Sequence, residues 1–449
     1  MKRKLLATIL CASMALATLA GCGGNTQTAS TDAPAAETKT EEAAPAATDE
    51  AAPATTESNL EGEIHYAYWH GAMTPYLEEC KANFEAANPG VTIVLEETSW
   101  DEYWTKLETA ASGGAIADVF HLNGPNIGKY AEAGVAMPID DLVANSSLDL
   151  SNYPQALIDL YTVDGKFYGI PMDYDTIGLW YNKEIFDAAG MEYPNENWTW
   201  DDLADAAKKL TDSSKGIYGI AAGYEAQGGF YNTIPMFGGY VISDDKTKSG
   251  FSLKETRDGI KCWVDLMEAG YSPSQESLTE NPASQQFMAG KLAMLTAGDW
   301  NAAEFSGDEE FKNKCDCTYL PTVNGKRVSV IHGKANCISA STQYPETAWA
   351  WCEYLAGPEA NEALGKCGAA IPSHKDYSAL YFERFPEFNM AVYADEAQNM
   401  SYPYPTSKTA AEWDNLIWTE LIEVFSLNKS LDDACDTIAE QMDALLASE

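Results

Sequence analysis

Asp173, Tyr174 and Asp175 stand together in the stretch YGIPMDYDTIGLWYN, between one run that reads as a buried strand and another that reads as a strand leading into a helix. Carboxylates beside rings can serve two chemistries. Two acids a few ångströms apart can work as acid and nucleophile, or acid and base, on a glycosidic bond. Alternatively they accept hydrogen bonds from the hydroxyls of a bound polyol while an aromatic face lies against its C–H surface. Similar groups recur at the ends of other strand-like runs. Trp69 and His70 follow the first, Glu97 and Trp100 the second, Asn123 and Asn126 the third. Further on, GGFYN supplies Phe230, Tyr231 and Asn232, and GDWN supplies Asp299, Trp300 and Asn301. Strand ends are where ligands bind in α/β sheets, and apolar walls with a few placed polar groups are ordinary pocket chemistry. Trp180, Trp198, Trp200, Trp263, Trp349 and Trp351 fall inside strand or helix patterns and read as core.

Other chemistries leave weaker traces. No GxSxG elbow and no phosphate-binding loop occurs in the sequence. The histidines are His65, His70, His121, His332 and His374; three of them, His70, His121 and His332, could converge near strand ends as metal ligands, but no His-x-His spacing and no CxxC pair accompanies them. No metal or other cofactor is expected.

The elements that must position these groups alternate. EIHYAYWH reads as a strand, TPYLEECKANFEAANPG as a helix stopped by Pro89-Gly90, and VTIVLEE as a second strand. A helix from WDEYW and a third strand entering at Ala117 follow, then a short helix in NIGKYAEAG. KFYGIP and TIGLWYN are strand-like, and KEIFDAAG is a helix ending at Gly190. NWTWDDLADAAKKLTD is a helix with an acidic first turn and a lysine-rich last turn, matched to its dipole. GIYGIAAG is a strand, FSLKETRDGIKCWVDLMEAG and PASQQFMAG are helices, and KLAMLTAGDWN is a strand ending in a loop. RVSVIHGKANCISA reads as a strand pair, PETAWAWCEYLAG as a helix, and the tail from Ala410 as helical with Trp413 and Trp418 on it. Strand–helix alternation of this kind predicts parallel α/β layers.

The ends of the chain set its location. Lys2, Arg3 and Lys4 precede an apolar run from Leu5 to Ala20 that stops at LAGC. This is the pattern of a lipoprotein signal over residues 1–21, with Cys22 as the lipidated first residue of the mature chain. More than one acyl chain there gives a stable anchor. Residues 22–58 are mostly Ala, Thr, Glu, Pro and Ser without an aromatic residue, a composition that predicts a disordered tether. No other run is long and apolar enough to span a bilayer. The 449 residues carry a formal charge of -40, which excludes nonspecific nucleic-acid binding and keeps the body soluble. Eight cysteines remain beyond Cys11 and Cys22. An exported compartment permits disulfides; their spacing leaves pairing or free buried thiols open.

Seven stretches in order carry a resemblance: AIADVF, YAEAGVAMPIDDL, DGKFYGIP, LWYNKEIFDAAG, NWTWDDLADAAKKLT, FMAGKLAMLTAGDWN and ETAWAWCEYLAGPEA. Together they resemble the family 1 extracellular solute-binding proteins, the lipoprotein receptors of ABC importers for sugars. The turn at Ala115-Ile116-Ala117 departs from the family's Gly-Pro but keeps Asp118. The charged residues that the maltose-binding member carries after its third strand are missing, which argues against a maltose-like ligand. The resemblance implies an α/β fold of the two-lobed periplasmic-binding-protein type II, each lobe a sheet flanked by helices, with a ligand cleft between the lobes. Lobe 1 is expected over 59–173 and 328–372, lobe 2 over 174–327 and 373–449. MDYD would then be the first hinge crossing, on the cleft floor.

The site expected on this basis comprises Trp69, His70, Trp100, Asn123, Asp173, Tyr174, Asp175, Tyr231, Trp300, Asn301 and Trp413, the last because the maltose-binding member has a stacking ring on a C-terminal helix there. The implied protein is a monomeric, lipid-anchored receptor on the extracytoplasmic side of the cell membrane. It captures a carbohydrate, an oligosaccharide, and hands it to the permease subunits of an ABC importer, without catalysing a reaction. The competing readings are a receptor of this fold for a peptide, polyamine, metal or other solute, and a tethered glycoside hydrolase.

Overall fold

The computed structural model describes residues 59–449. The expected signal, Cys22 and the expected tether lie outside the described residues. Local signals decide the helix ends. Thr199 caps the helix Trp200–Leu210 in a reciprocal box: Asp202 N donates to Thr199 Oγ1 at 3.3 Å and Thr199 N donates to Asp202 Oδ2 at 2.9 Å. Asp201 and Asp202 lie in its first turn and Lys208 and Lys209 in its last, as the helix dipole favours. Its apolar face, Leu203, Ala206, Ala207 and Leu210, is buried.

Two sheets form. The first has five strands in the order Val91–Glu97, Gly62–Tyr68, Val119–Asn123, Lys334–Ile338, Gly169–Pro171. The second has four, in the order Cys315–Thr318, Ile177–Asn182, Leu292–Gly298, Tyr218–Ile220. The expected parallel layers need one correction. Each sheet carries a single antiparallel strand, Lys334–Ile338 in the first and Ile177–Asn182 in the second. The reason is directional. Most of the other strands end on a shared cavity, whereas these two begin at a crossing beside it and must run away from it.

The crossings pair with one another. Asp173–Tyr174 runs antiparallel to Ile371–Pro372, and Asp175 bridges to His332. Ser329–Ile331 runs parallel to Ser401–Pro403, so the two strands of RVSVIHGKANCISA serve different sheets instead of pairing together. A Cβ added to Gly333 would collide with the carbonyl oxygen of Asp173, so glycine is required where the crossings touch. The stretch 372–409, unassigned in the sequence reading, holds the helices Ser378–Arg384 and Ala391–Asn399.

The cores are aromatic. Trp180, Trp351 and Trp413 are fully buried, Trp263 and Trp349 are buried, and Trp198 and Trp200 are half-buried against the same cluster. All eight cysteines of the body are free thiols, and all but Cys367 are buried. Among the described residues no helix is long and apolar enough to cross a membrane.

Candidate functional site

A cavity of about 920 Å³ opens where the strands end, at the upper end of the ~300–1,000 Å³ usual for small-molecule sites. Its floor is the first crossing. The carboxylate of Asp173, 2% exposed, accepts from the main-chain N of Lys334 at 2.9 Å and from the Lys334 ammonium. Asp175 lies half-buried beside it and accepts from Gln227 Nε2. Burial, and then the neighbouring Asp173, push the Asp175 carboxyl up to about 7. Asp299, at the end of Leu292–Gly298, is driven well above the carboxylate range by burial and then by Asp175 and Asp173. On an extended chain residues two apart project to the same side, so Asp173 and Asp175 share the floor, but Asp173 is held by Lys334.

The imidazoles here are acceptors or neutral donors. Burial, helped by Lys334, lowers His70 to about 4 and His332 to about 3. His332 Nε2 accepts from Gly124 N at 3.1 Å, and its ring packs 4.3 Å from that of Tyr404. His121 lies behind the wall, its Nε2 2.6 Å from the Tyr66 hydroxyl. Among the described residues no group of His, Cys, Asp and Glu is arranged to hold a metal ion.

The walls are indoles. Trp69 is held by Trp100, Tyr103, Trp104 and His121, with ring centroids 4.9–5.4 Å apart. Trp69, Trp100 and Trp104 all line the cavity. Its entry turn is unusual, since His70 takes a left-handed φ of 77° without being glycine, a conformation that costs on the order of 1–3 kcal/mol. Opposite, Trp300 folds back over Gly298, where any Cβ would fall inside the indole. The helix Ala410–Phe425 contributes Ala411, Asp414, Asn415 and Trp418. Trp100 is 50% exposed, Trp418 50% and Trp300 38%. A protein interior would cover such rings; these three are left open on one cavity.

Eight of the eleven residues expected from sequence line this space: Trp69, His70, Trp100, Asn123, Asp173, Tyr174, Asp175 and Trp300. Asn123 keeps its Oδ1 on Asn126 Nδ2 at 2.8 Å, and Tyr174 is 6% exposed. The other three do not line it. Asn301 begins the helix Asn301–Gly307, where a loop was expected, and its amide turns to Glu304 Oε2 at 3.3 Å. Tyr231 is fully buried at the start of the helix Tyr231–Phe237; its hydroxyl donates to Asp414 Oδ1 at 3.3 Å, so it stands behind the lining. Trp413 faces the core and donates Nε1 to Ser407 Oγ at 2.9 Å. Sequence reasoning also missed Lys334, Gln227, Tyr404, Asp414 and Trp418, and weighed His332 only as a metal ligand. For Trp418 a signal existed. Ala411, Asp414, Asn415 and Trp418 stand at i, i+3, i+4 and i+7, one helix face, whereas Ala410, Trp413, Ile417 and Leu421 form the buried one.

Residues 66–362 match the model of the bacterial extracellular solute-binding proteins. The chain belongs to this family. A protein of Brucella abortus (strain 2308) named as a binding protein is 30% identical over 245 residues, 52% of this chain and 57% of its own length, so the chain spans little more than half of that relative. The maltodextrin-binding protein MdxE of Bacillus subtilis (strain 168) is 25% identical over 378 residues, 82% of this chain and 87% of MdxE. Among solved structures, the ABC substrate-binding protein of Listeria monocytogenes in complex with cycloalternan superposes with a TM-score of 0.79 at 24% identity, covering 86% of this chain and 99% of that one. That likeness establishes the two-lobed α/β fold of solute-binding proteins for this chain.

Proposed function

We propose that this protein captures a carbohydrate, an oligosaccharide, outside the cytoplasm and delivers it to the permease of an ABC importer. The observation that carries the reading is the placement of three open indoles, Trp100, Trp300 and Trp418, on one cavity whose floor is made of carboxylates. Rings can lie against the C–H faces of sugars while Asp175, Asn123 and Gln227 meet hydroxyls. The names of the relatives, a maltodextrin-binding protein and a cycloalternan complex, support the same class. The two sheets support lobes over 59–173 with 328–372 and over 174–327 with 373–449. The protein acts as a monomeric receptor and not as an enzyme; the Asp173 carboxylate is committed to Lys334 through its ammonium and main-chain N–H. Cys22 in LAGC tethers it by lipid to the membrane.

The test is a thermal-shift screen of mono- and oligosaccharides followed by calorimetry. A sugar at a hundred times its Kd adds roughly 2.7 kcal/mol of stability. Binding to no glycan in a broad panel, with tight binding to a peptide or metal, would refute the carbohydrate reading. Steady release of shorter sugars by the pure protein would refute the non-enzymatic one.

A further inference from the structure

Acidic side chains outnumber basic ones around the cavity. Six acidic side chains line it: Glu97, Asp173, Asp175, Glu225, Asp299 and Asp414; burial raises Asp175, Glu225, Asp299 and Asp414, so the crowded acids hold protons that a cation could replace. Among the described lining residues Lys334 is the one lysine or arginine, and its ammonium is already on Asp173. The two lining imidazoles, His70 and His332, are neutral at pH 7 and add no positive charge.

Within this set Asp299 stands apart. It is 2% exposed, yet its Oδ1 has no hydrogen-bond partner. Tyr381 donates to the Asp299 main-chain oxygen at 2.8 Å and leaves the carboxylate untouched; the residue's own main-chain N–H is the group that leans on it. A buried polar atom without a partner is rare and unfavourable, and this one belongs to a residue that lines the cavity, where a ligand can bring a donor. A neutral hydroxyl would satisfy the oxygen but give the ionised forms of these acids no counter-charge. A basic nitrogen would meet both needs, since a charge-assisted bond to a carboxylate is roughly twice as strong as a neutral one. The exposed indoles beside it also favour a cation over an anion.

We propose that the preferred ligand is a saccharide bearing a basic nitrogen, its ammonium held by the Asp299 carboxylate next to Asp175. This rests on the carbohydrate reading above. No bond is made or broken; the selection is between charged and uncharged forms of one sugar skeleton.

The experiment compares matched pairs by calorimetry on the full mature chain: glucosamine, galactosamine and mannosamine, with the glucosamine and galactosamine oligomers of two to six units, each against its N-acetylated and its parent hydroxyl form. At least one free amine should bind tenfold or more tighter than both partners. In Asp299→Asn, and in Asp175→Asn should the first variant fold poorly, that preference should shrink to within about threefold. Neutral sugars binding as well as every amine would overturn the proposal and leave the carbohydrate reading standing. A preference that persists in both variants would overturn the placement at Asp299. Binding of no saccharide in the panel, with spermidine bound instead, would overturn both readings.

Discussion

Trp300 and Trp413 have the same side chain and opposite surroundings. Trp300 is 38% exposed and lines the cavity; Trp413 is fully buried and bonded to Ser407. On the proposed carbohydrate reading, removing the Trp300 ring deletes a stacking surface worth roughly 0.5–1.5 kcal/mol beyond its area, within a loss of about 2–4 kcal/mol typical of a binding hot spot. Trp300→Ala should therefore lower sugar affinity at least tenfold in calorimetry while the empty protein melts almost unchanged. An unaltered Kd with a lowered melting point would move Trp300 from site to core. Trp413→Ala should behave in the reverse way. It empties a core position at a cost of about 3–5 kcal/mol, and whatever protein remains folded should bind sugar within about threefold of wild type.

At the scale of the element, the helix Ala410–Phe425 divides its two faces between cavity and core. Trp418 is half exposed on one face, and Ile417 is fully buried on the other. These neighbours in sequence should separate in experiment. Trp418→Ala is expected to weaken binding with little change in unfolding free energy. Ile417→Ala should cost about 2–5 kcal/mol in denaturant unfolding and leave the affinity of the folded fraction intact. If both variants lost stability equally, the division of faces would be wrong. The same element explains why Tyr231 matters without touching a ligand, since its hydroxyl steadies Asp414 from behind at 3.3 Å.

For the whole molecule, the acids of the cavity tie stability to pH. Asp175 is raised to about 7 and Asp414 to about 6, both chiefly by burial, against roughly 4 for an unfolded aspartate. Below about pH 4 both states hold the proton. Between there and pH 7 the folded chain keeps protons that the unfolded chain has released, so stability falls as pH rises through this window and stays lost above it. The empty protein should melt lower at pH 8 than at pH 5. General repulsion within a chain of net charge -40 acts in the same direction, so Asp175→Asn is the control. Its drop between the two pH values should be smaller than wild type's by about 1–3 °C. Parallel drops would show that Asp175 is not the titrating group. The tether makes its own forecast: Cys22→Ala should shift the protein from the membrane to the soluble fraction, and retention on membranes would remove the lipid anchor.

Much of this architecture is written locally. The strand at Gly62–Tyr68, the capped helix Trp200–Leu210 and the order of strands and helices follow from alternation, capping and glycine stops, which act within a few residues of the chain. The ends of strands were legible for the same reason, and with them Trp69, Asn123, Asp173 and Trp300. What local pattern could not decide is what long-range packing decides. Lys334 meets Asp173 across 161 residues, and Gln227 meets Asp175 across 52. The crossings bring those pairs together, and they also reverse the strands that begin at them. Trp413 and Trp418 look alike in sequence, and only the packing of their helix assigns one to the core and one to the cavity. The unpartnered carboxylate of Asp299 is likewise invisible in GDWN, because lacking a partner is a property of everything folded around an atom.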